Sequence, residues 1–552
     1  MNRFWLKSYP PGVPAEIDPS RLTSLADLLR QACADYRNRA AFEQMGRAIT
    51  FGQLDELTRD FAAWLQSVGM AKGDRLAIML PNTLQYPIAL FGALRAGVIV
   101  VNTNPLYTAR ELQHQLEDSG ATAILVLENF AHVVQEVAPH TQLKKVLVTA
   151  AGDFLGFPKS WIVNYVVRHR RKQVPHWHIP GAIDFREALR AGRKVPLNPV
   201  AVGPDDIAFL QYTGGTTGVA KGAMLTHGNV SCNVLQADAW LAGKFSREAG
   251  VVVTAIPLYH VFALTANCLL CAHLGWKNVL IINPRDCPAL LKELSKQPFA
   301  FFTGVNTLFN AMLNAPGFAA IDFSHLQVTL GGGMAVQESV ARRWKEVTGK
   351  ILTQAWGLTE TSPAATINPT DEDFNGSVGL PIPSSEIAIK NDEGQDLPLG
   401  ETGEICVRGP HVMRGYWNRP DETAKVMLPD GWLRTGDVGY MDPRGYVFIQ
   451  DRKKDMILVS GFNVYPNEVE AVAAMHPGIL ECGAVAQADE HSGEVVALYV
   501  VRKDPNLTEH DVIEFCRKSL AGYKVPKHVY FRKELPKSNV GKILRKELRE
   551  HS

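Results

Sequence analysis

Short apolar runs alternate with segments of helical length through most of this chain, and few architectures accommodate that rhythm. Arg75 to Leu80 reads as a buried strand, Pro81-Asn82 punctuates it, and Tyr86 to Ala96 reads as a helix. Val98 to Val101, Ala123 to Leu127, Lys145 to Val148, Val251 to Ile256, Val279 to Ile282 and Val328 to Leu330 repeat the strand theme. Such a pattern predicts α/β layers with largely parallel sheets. Around residue 400 the texture changes. Gly403 to Gly409 and Gly445 to Ile449 are short strand-like runs set among Gly and Pro turns, which suggests a small antiparallel sheet or a β-barrel-like subdomain. After Asp451-Arg452-Lys453-Lys454-Asp455 a compact α+β pattern begins. Thr508 and Asp511 supply a capping box there, and Val512, Phe515, Cys516 and Leu520 form the apolar face of a helix. A chain of 552 residues exceeds what one core usually organises. We therefore expect a large layered α/β N-terminal domain over 1–453 and a small C-terminal α+β domain over 454–552, with a charged, exposed hinge at Lys454.

Composition mainly excludes. The net charge of +1 provides no global field for a nucleic-acid partner. The 8 cysteines are dispersed, as in a reduced compartment. Cys268 and Cys271 form a C-x-x-C, but it sits in the apolar run Ala266 to Cys271, and no second pair follows at zinc spacing, so a packed helix is expected. Residues 1–14 carry Arg3 and Lys7 without an apolar signal core, and Val251 to Trp276 is interrupted by Pro257, His260 and Asn267. A cytoplasmic location is the expectation.

The most informative segment is Tyr212-Thr213-Gly214-Gly215-Thr216-Thr217-Gly218-Val219-Ala220-Lys221-Gly222, which follows the apolar run Ile207 to Leu210. Its glycines let backbone approach an oxyanion, its threonine hydroxyls donate, and Lys221 adds charge, which together describe a phosphate cradle. Walker spacing fails because Lys221 is followed by Gly222, not by Ser or Thr. Without Walker or kinase signatures, phosphoryl transfer of the kinase type is disfavoured.

This loop resembles the signature of the acyl-adenylate-forming superfamily, and further segments match in order: Trp356 to Thr361, Trp432 to Asp437, Asp451 to Gly461 and Pro536 to Lys542. Asn104 to Thr108, Pro257 to Leu264 and Asp455 to Glu468 resemble bacterial long-chain fatty-acid–CoA ligases in particular. The resemblance implies activation of a fatty acid as its acyl-adenylate and transfer to coenzyme A, with fatty acid, ATP and coenzyme A as partners and Mg²⁺ as cofactor. Medium-chain and adenylate-only ligases of the same family are the alternatives. It further implies that Tyr212, Thr213, Gly214, Gly215, Thr216, Thr217, Gly218 and Lys221 surround the phosphates. Glu360 and Thr213 would hold Mg²⁺, and Asp437, helped by Arg452, would bind the ribose. Gly331, Gly332 and Gly333 would admit the adenine, with Gly357 and Thr359 beside it. Trp356 would stack on the base, where the family more often has Tyr; the exchange forfeits a phenol hydrogen bond. Lys542 would bridge carboxylate and α-phosphate, Lys454 would be the pivot, and Gly461 would line the coenzyme A channel. His260 would sit near the acyl carbonyl, or be a satisfied core histidine. Intact Glu360, Asp437, Arg452 and Lys542 argue against a non-catalytic acyl-binding protein. Oligomeric state stays open, a dimer included.

One stretch, Phe157 to Pro180, lies outside that chemistry. Apolar Trp161-Ile162-Val163 and Tyr165-Val166-Val167 are followed by Arg168-His169-Arg170-Arg171-Lys172. Two readings stand: a buried strand or helix ending in a solvated basic turn, or a peripheral contact of Trp161 to Lys172 with the anionic inner face of the cytoplasmic membrane.

Overall fold

The computed structural model describes residues 3–213, 220–245, 248–489 and 492–550. Among these residues the strands form four sheets. A seven-stranded sheet carries, in spatial order, Ile183–Asp184, Lys145–Thr149, Ala123–Leu127, Arg75–Met79, Ile99–Asn102, Ile207–Thr213 and Lys221–Thr226; all its pairings are parallel except the last. A nine-stranded sheet has a parallel centre of Leu352–Gly357, Val328–Gly331, Phe301–Gly304, Val251–Thr254, Lys277–Leu280 and Ala40–Gln44. The near-continuous apolar runs follow from this placement, since strands covered on both faces have no side to give to water.

The helix Gln85–Arg95 is buried from Gln85 to Leu94, packed against strands Arg75–Met79 and Ile99–Asn102 and against helices Leu25–Asp35 and Phe51–Ser67. Polar groups at its start join the two large sheets. Asn82 donates to the carbonyls of Thr254 and Ile256 at 3.1 and 3.0 Å, and the Tyr86 hydroxyl lies within hydrogen-bond distance of two acceptors, Asn102 Oδ1 at 2.7 Å and the Leu258 carbonyl at 2.9 Å. What reads in sequence as Pro-Asn punctuation is a staple between layers, in which the Asn82 amide also accepts the Leu258 N–H at 2.8 Å and so has its donor and acceptor both used. A second core covers another part of the nine-stranded sheet, where Trp344 packs with Phe302, Phe309 and Phe318.

The β-rich region forms an antiparallel sheet, Glu386–Lys390, Gly403–Arg408, Leu433–Met441 and Val447–Arg452, whose outer strands do not pair with each other. The C-terminal sheet orders Phe462–Val464, Ile457–Val459, Gly493–Arg502 and Ile479–Asp489, with His528–Arg532 parallel to Gly493–Arg502. Helix Glu509–Arg517 begins with the anticipated capping box of Thr508 and Asp511. Cys268 and Cys271 are buried in the helical run 261–273, and among the described residues no helix is long and apolar enough to cross a membrane.

Three expectations need correction. The strand expected at Val279 to Ile282 is Lys277–Leu280, because Lys277 finds Glu43 and Gln297, and Asn278 finds Thr254 and the Asn267 carbonyl, so two polar residues can join it. The strand expected from Gly445 starts at Val447, because Asp442 accepts the Arg444 and Tyr446 N–H groups and closes a turn on Gly445, whose φ is +95°. Finally, the apolar block after Phe157 is neither a strand nor buried. Lys159–Tyr165 is an α-helix continued by a π-helical turn, Val166–Arg170. Its large side chains face outward: Phe157 is 93% exposed, Trp161 65%, Ile162 49% and Tyr165 43%. The inward position is polar Asn164, which accepts from the Gly152 N–H at 2.8 Å and donates to Asp153 at 3.0 Å.

Candidate active site

A cleft of about 1950 Å³ opens beyond the C-terminal ends of the parallel strands Val328–Gly331 and Leu352–Gly357. Strand ends leave backbone groups without ladder partners, which is why α/β sheets bind ligands there. Thr213, the last residue of its strand, and the edge of the four-stranded sheet at Asp437 and Arg452 supply further walls. The C-terminal domain closes it with the loop carrying Lys542.

Asp437 is the electrostatic centre. It faces Arg452 across the antiparallel ladder, and the Arg452 Nε lies 3.4 Å from its Oδ1. The Trp356 indole N–H donates to Oδ2 at 2.8 Å. Burial pushes the carboxyl pKa up, while Arg452, the indole and Lys542 pull it down and Asp451 opposes them. The indole at position 356 thus makes a hydrogen bond of its own, which fixes the ring beside the cleft.

Glu360 follows the strand that ends at Gly357, a position without room for a side chain: a Cβ there would lie 1.8 Å from the Pro363 carbonyl oxygen. The Tyr416 hydroxyl donates to Glu360 Oε1 at 2.7 Å, and the Met413 N–H holds the Glu360 carbonyl at 2.7 Å. Thr213, Thr359 and Glu360 all line the cleft. One carboxylate and one hydroxyl suit Mg²⁺, which keeps waters and takes phosphate oxygens in preference to a protein cage. Among the described residues there is no cluster of three or more His, Cys, Asp or Glu that could hold a metal ion. Lys221 is paired with Glu422 and lies 5.2 Å from the Tyr416 ring centre, while the Tyr212 hydroxyl donates to Asp118 at 2.7 Å. Gly214, Gly215, Thr216, Thr217 and Gly218 lie outside the described residues.

Lys542 reaches over Gly333, where an added Cβ would meet its Cε at 3.5 Å. Burial and the Arg452 charge lower its pKa to about 8, against the pull of Asp437 and Glu360. Gly332 and Gly333 line the cleft, whereas Gly331 backs onto Val336 in the core. His260 caps helix 261–273 by accepting the Phe262 N–H at 3.3 Å, and its ring borders the cleft. Burial, then Lys542, lowers its pKa to about 3, so it is neutral. Beyond it the cleft becomes apolar. Ala237 and Leu241 of helix His227–Leu241 line it together with Ala266, Leu270 and Phe301, and the polar Asn233 of the same helix is tied to the backbone of Ala364. Lys454 also borders the cleft; Gly461, in an exposed turn at φ +85°, does not.

Sequence reasoning passed over Tyr416, Thr307 and Arg545, and gave Asp451 no role beyond its place in the hinge segment. The hydroxyl of Thr307 donates to the Gly541 carbonyl at 2.9 Å, and Arg545 donates to Asp451 at 2.8 Å. Position was the available signal for Arg545, which follows Lys542 by three residues.

Comparison with known proteins places these features in context. Residues 29–417 match the AMP-binding enzyme family and residues 468–542 the AMP-binding enzyme C-terminal domain. A long-chain-fatty-acid–CoA ligase of Escherichia coli is 54% identical over 100% of this chain and 99% of its own length. Among solved structures, an anthranilate CoA ligase in complex with anthranoyl-AMP superposes with a TM-score of 0.86 at 24% identity, covering 97% of this chain and 99% of that one. ATP-bound MatB from Rhodopseudomonas palustris gives a TM-score of 0.81 at 26% identity over 95% and 98%. This chain therefore belongs to the AMP-binding enzymes and, among them, to the long-chain fatty-acid–CoA ligases.

Proposed function

We infer that this chain converts a long-chain fatty acid to its coenzyme A thioester through an acyl-adenylate, consuming ATP and releasing AMP and pyrophosphate. The observation that carries the reading is the joining of two environments in one cleft. Its charged end holds Lys542 and Arg452 with Asp437 and Glu360, and its far end is an apolar pocket under helix His227–Leu241. A fatty acid has this same division.

A carboxylate is a poor acyl donor because oxide is its leaving group. Attack of a carboxylate oxygen on the α-phosphorus makes a mixed anhydride as the bond to pyrophosphate breaks. The protein must place two anions together and neutralise the charge that develops. Asp437 accepts from the ribose hydroxyls, with Arg452 holding the carboxylate in place. Trp356 and Gly332-Gly333 flank the adenine. Thr213 and the loop to Gly218 take the β- and γ-phosphates. Glu360 and Thr213 would hold Mg²⁺, which when bound would supply charge neutralisation at the phosphate oxygens. Lys542 bridges carboxylate and α-phosphate, where a flexible point charge can follow the moving charge. Neutral His260 sits at the junction with the apolar pocket, beside the acyl carbonyl. In the second half-reaction the thiol sulfur attacks the acyl carbon and AMP leaves. For this the domain over 454–552 pivots at Lys454, withdrawing Lys542 and bringing Gly461 to the pantetheine channel.

A second reading concerns where the enzyme meets its substrate. Phe157, Trp161, Ile162 and Tyr165 form an exposed apolar cluster, and Arg170, Arg171 and Lys172 follow it, also exposed. We propose that this helix docks reversibly on an anionic membrane face, with aromatics at the interface and cations on headgroups. Arg168 does not belong to the docking set, because it is paired with buried Glu128 at 2.7 Å.

Three outcomes are expected. Lys542→Ala lowers adenylate formation about 10²–10³-fold while largely sparing thioester formation from supplied acyl-AMP; equal loss of both half-reactions contradicts the assignment. In the first half-reaction, kcat/KM for ATP falls as pH rises through about 8, because the lysine cation is the form present below its lowered pKa. Lys542→Arg, which stays protonated, removes that alkaline limb, and a limb that persists in it belongs to another group. Replacing Arg170, Arg171 and Lys172 with Gln weakens binding to anionic vesicles by about two orders of magnitude, at roughly 1 kcal/mol per cation, with activity on micellar substrate retained. Unchanged, salt-insensitive vesicle binding sinks the docking reading.

A further inference from the structure

Lys542 is delivered from one domain into a cleft built by the other, so something must hold it there. The loop carrying it is fixed at two points. On one side the Thr307 hydroxyl donates to the Gly541 carbonyl at 2.9 Å. On the other stands Arg545, whose guanidinium uses every face. Its Nη1 donates to Asp451 Oδ1 at 2.8 Å, its Nη2 to Asn467 Oδ1 at 2.6 Å and Glu470 Oε2 at 2.9 Å, and its Nε to Glu470 Oε1 at 3.0 Å. Asp455 lies further off, at 3.8 Å from Nη1, and pairs with Arg549 at 2.9 Å.

These partners stand on opposite sides of the hinge. Glu470 belongs to helix Pro466–Ala473 and also accepts the Ala484 N–H at 2.8 Å, so it is tied to the C-terminal sheet. Asp451 belongs to strand Val447–Arg452, paired with Val438 in the four-stranded sheet. Its side chain is 1% exposed. Besides Arg545 it accepts the N–H of Arg452 at 2.8 Å and, from across the hinge, the N–H of Asn467 at 2.8 Å. A pivot at Lys454 would carry Arg545, Asn467 and Glu470 away together and take from Asp451 the cation it is paired with while buried. Buried charge is tolerated only when paired. An Arg fork holds two carboxylates in a fixed planar geometry that a Lys point charge does not impose.

We propose that Arg545, through Asp451, is the positioning residue that holds Lys542 in the cleft for adenylate formation, and that breaking this pair is the step that releases the C-terminal domain for thioester formation. The inference rests on reading Lys542 as the lysine of the first half-reaction. Arg545 touches no reacting atom, so its effect must appear as a bias between half-reactions and not as a general loss.

The test measures each half-reaction separately in Asp451→Asn, Arg545→Gln and the double variant: adenylate formation from ATP and long-chain fatty acid, and thioester formation from supplied acyl-AMP and coenzyme A. Asp451→Asn keeps shape and removes charge, so it carries the test even if Arg545→Gln, which also loses Glu470, folds poorly. Asp451→Asn is expected to slow adenylate formation about tenfold, with the double variant little worse than either single one, and to leave thioester formation as fast as in the parent or faster. Wild-type adenylate formation in Asp451→Asn, loss of both half-reactions in equal proportion, or strictly additive effects would each overturn the proposal. Failure of the underlying reading looks different: Lys542→Ala would itself then lose both half-reactions equally.

Discussion

The site depends on charge assembled from two domains around one buried carboxylate. Asp437 is held by Arg452 from the neighbouring strand and by the Trp356 indole from the end of the nine-stranded sheet, and the Lys542 charge reaches it from the C-terminal domain. Each group alters the others. Arg452 steadies Asp437 but lowers the Lys542 pKa, while Asp437 and Glu360 raise it. A lysine in such a place is easily displaced, because its burial is compensated only while those acids face it. That makes the closed arrangement conditional, as expected of an enzyme that uses one cleft for two reactions.

Much of this was legible in the sequence because the physics is local. Strands such as Ala123–Leu127 and Arg75–Met79 are apolar at nearly every position, and buried parallel strands tolerate little else. The capping box at Thr508 and the polar break at Pro81-Asn82 are likewise readable over a few residues. Ordered motifs then singled out Glu360, Asp437, Arg452 and Lys542, which the fold brings to one cleft from separate segments.

What stayed hidden depends on distant partners. Lys277 and Asn278 read as breakers of a strand until Glu43 and Thr254 are seen opposite them. The helix after Phe157 inverts the usual rule, since buried Asn164 answers Gly152 and Asp153 while Trp161 faces out. Nothing within the segment itself announces that preference. Arg545 reads as one more cation in a basic tail, and only the fold places Asp451 and Glu470 on either side of it. Lys221 reads as a phosphate ligand, yet it is paired with Glu422 here, so phosphate would have to compete for it.

The central claim is that a fatty-acid carboxylate attacks the α-phosphorus of ATP in this cleft. Fatty acid labelled with oxygen-18 in its carboxyl group tests that most directly, because attack transfers a labelled oxygen that is retained on AMP when the thiol displaces it. Mass spectrometry of the nucleotide after turnover with coenzyme A should find label in the AMP phosphate and none in pyrophosphate. Unlabelled AMP, or label in pyrophosphate or inorganic phosphate, would contradict the account.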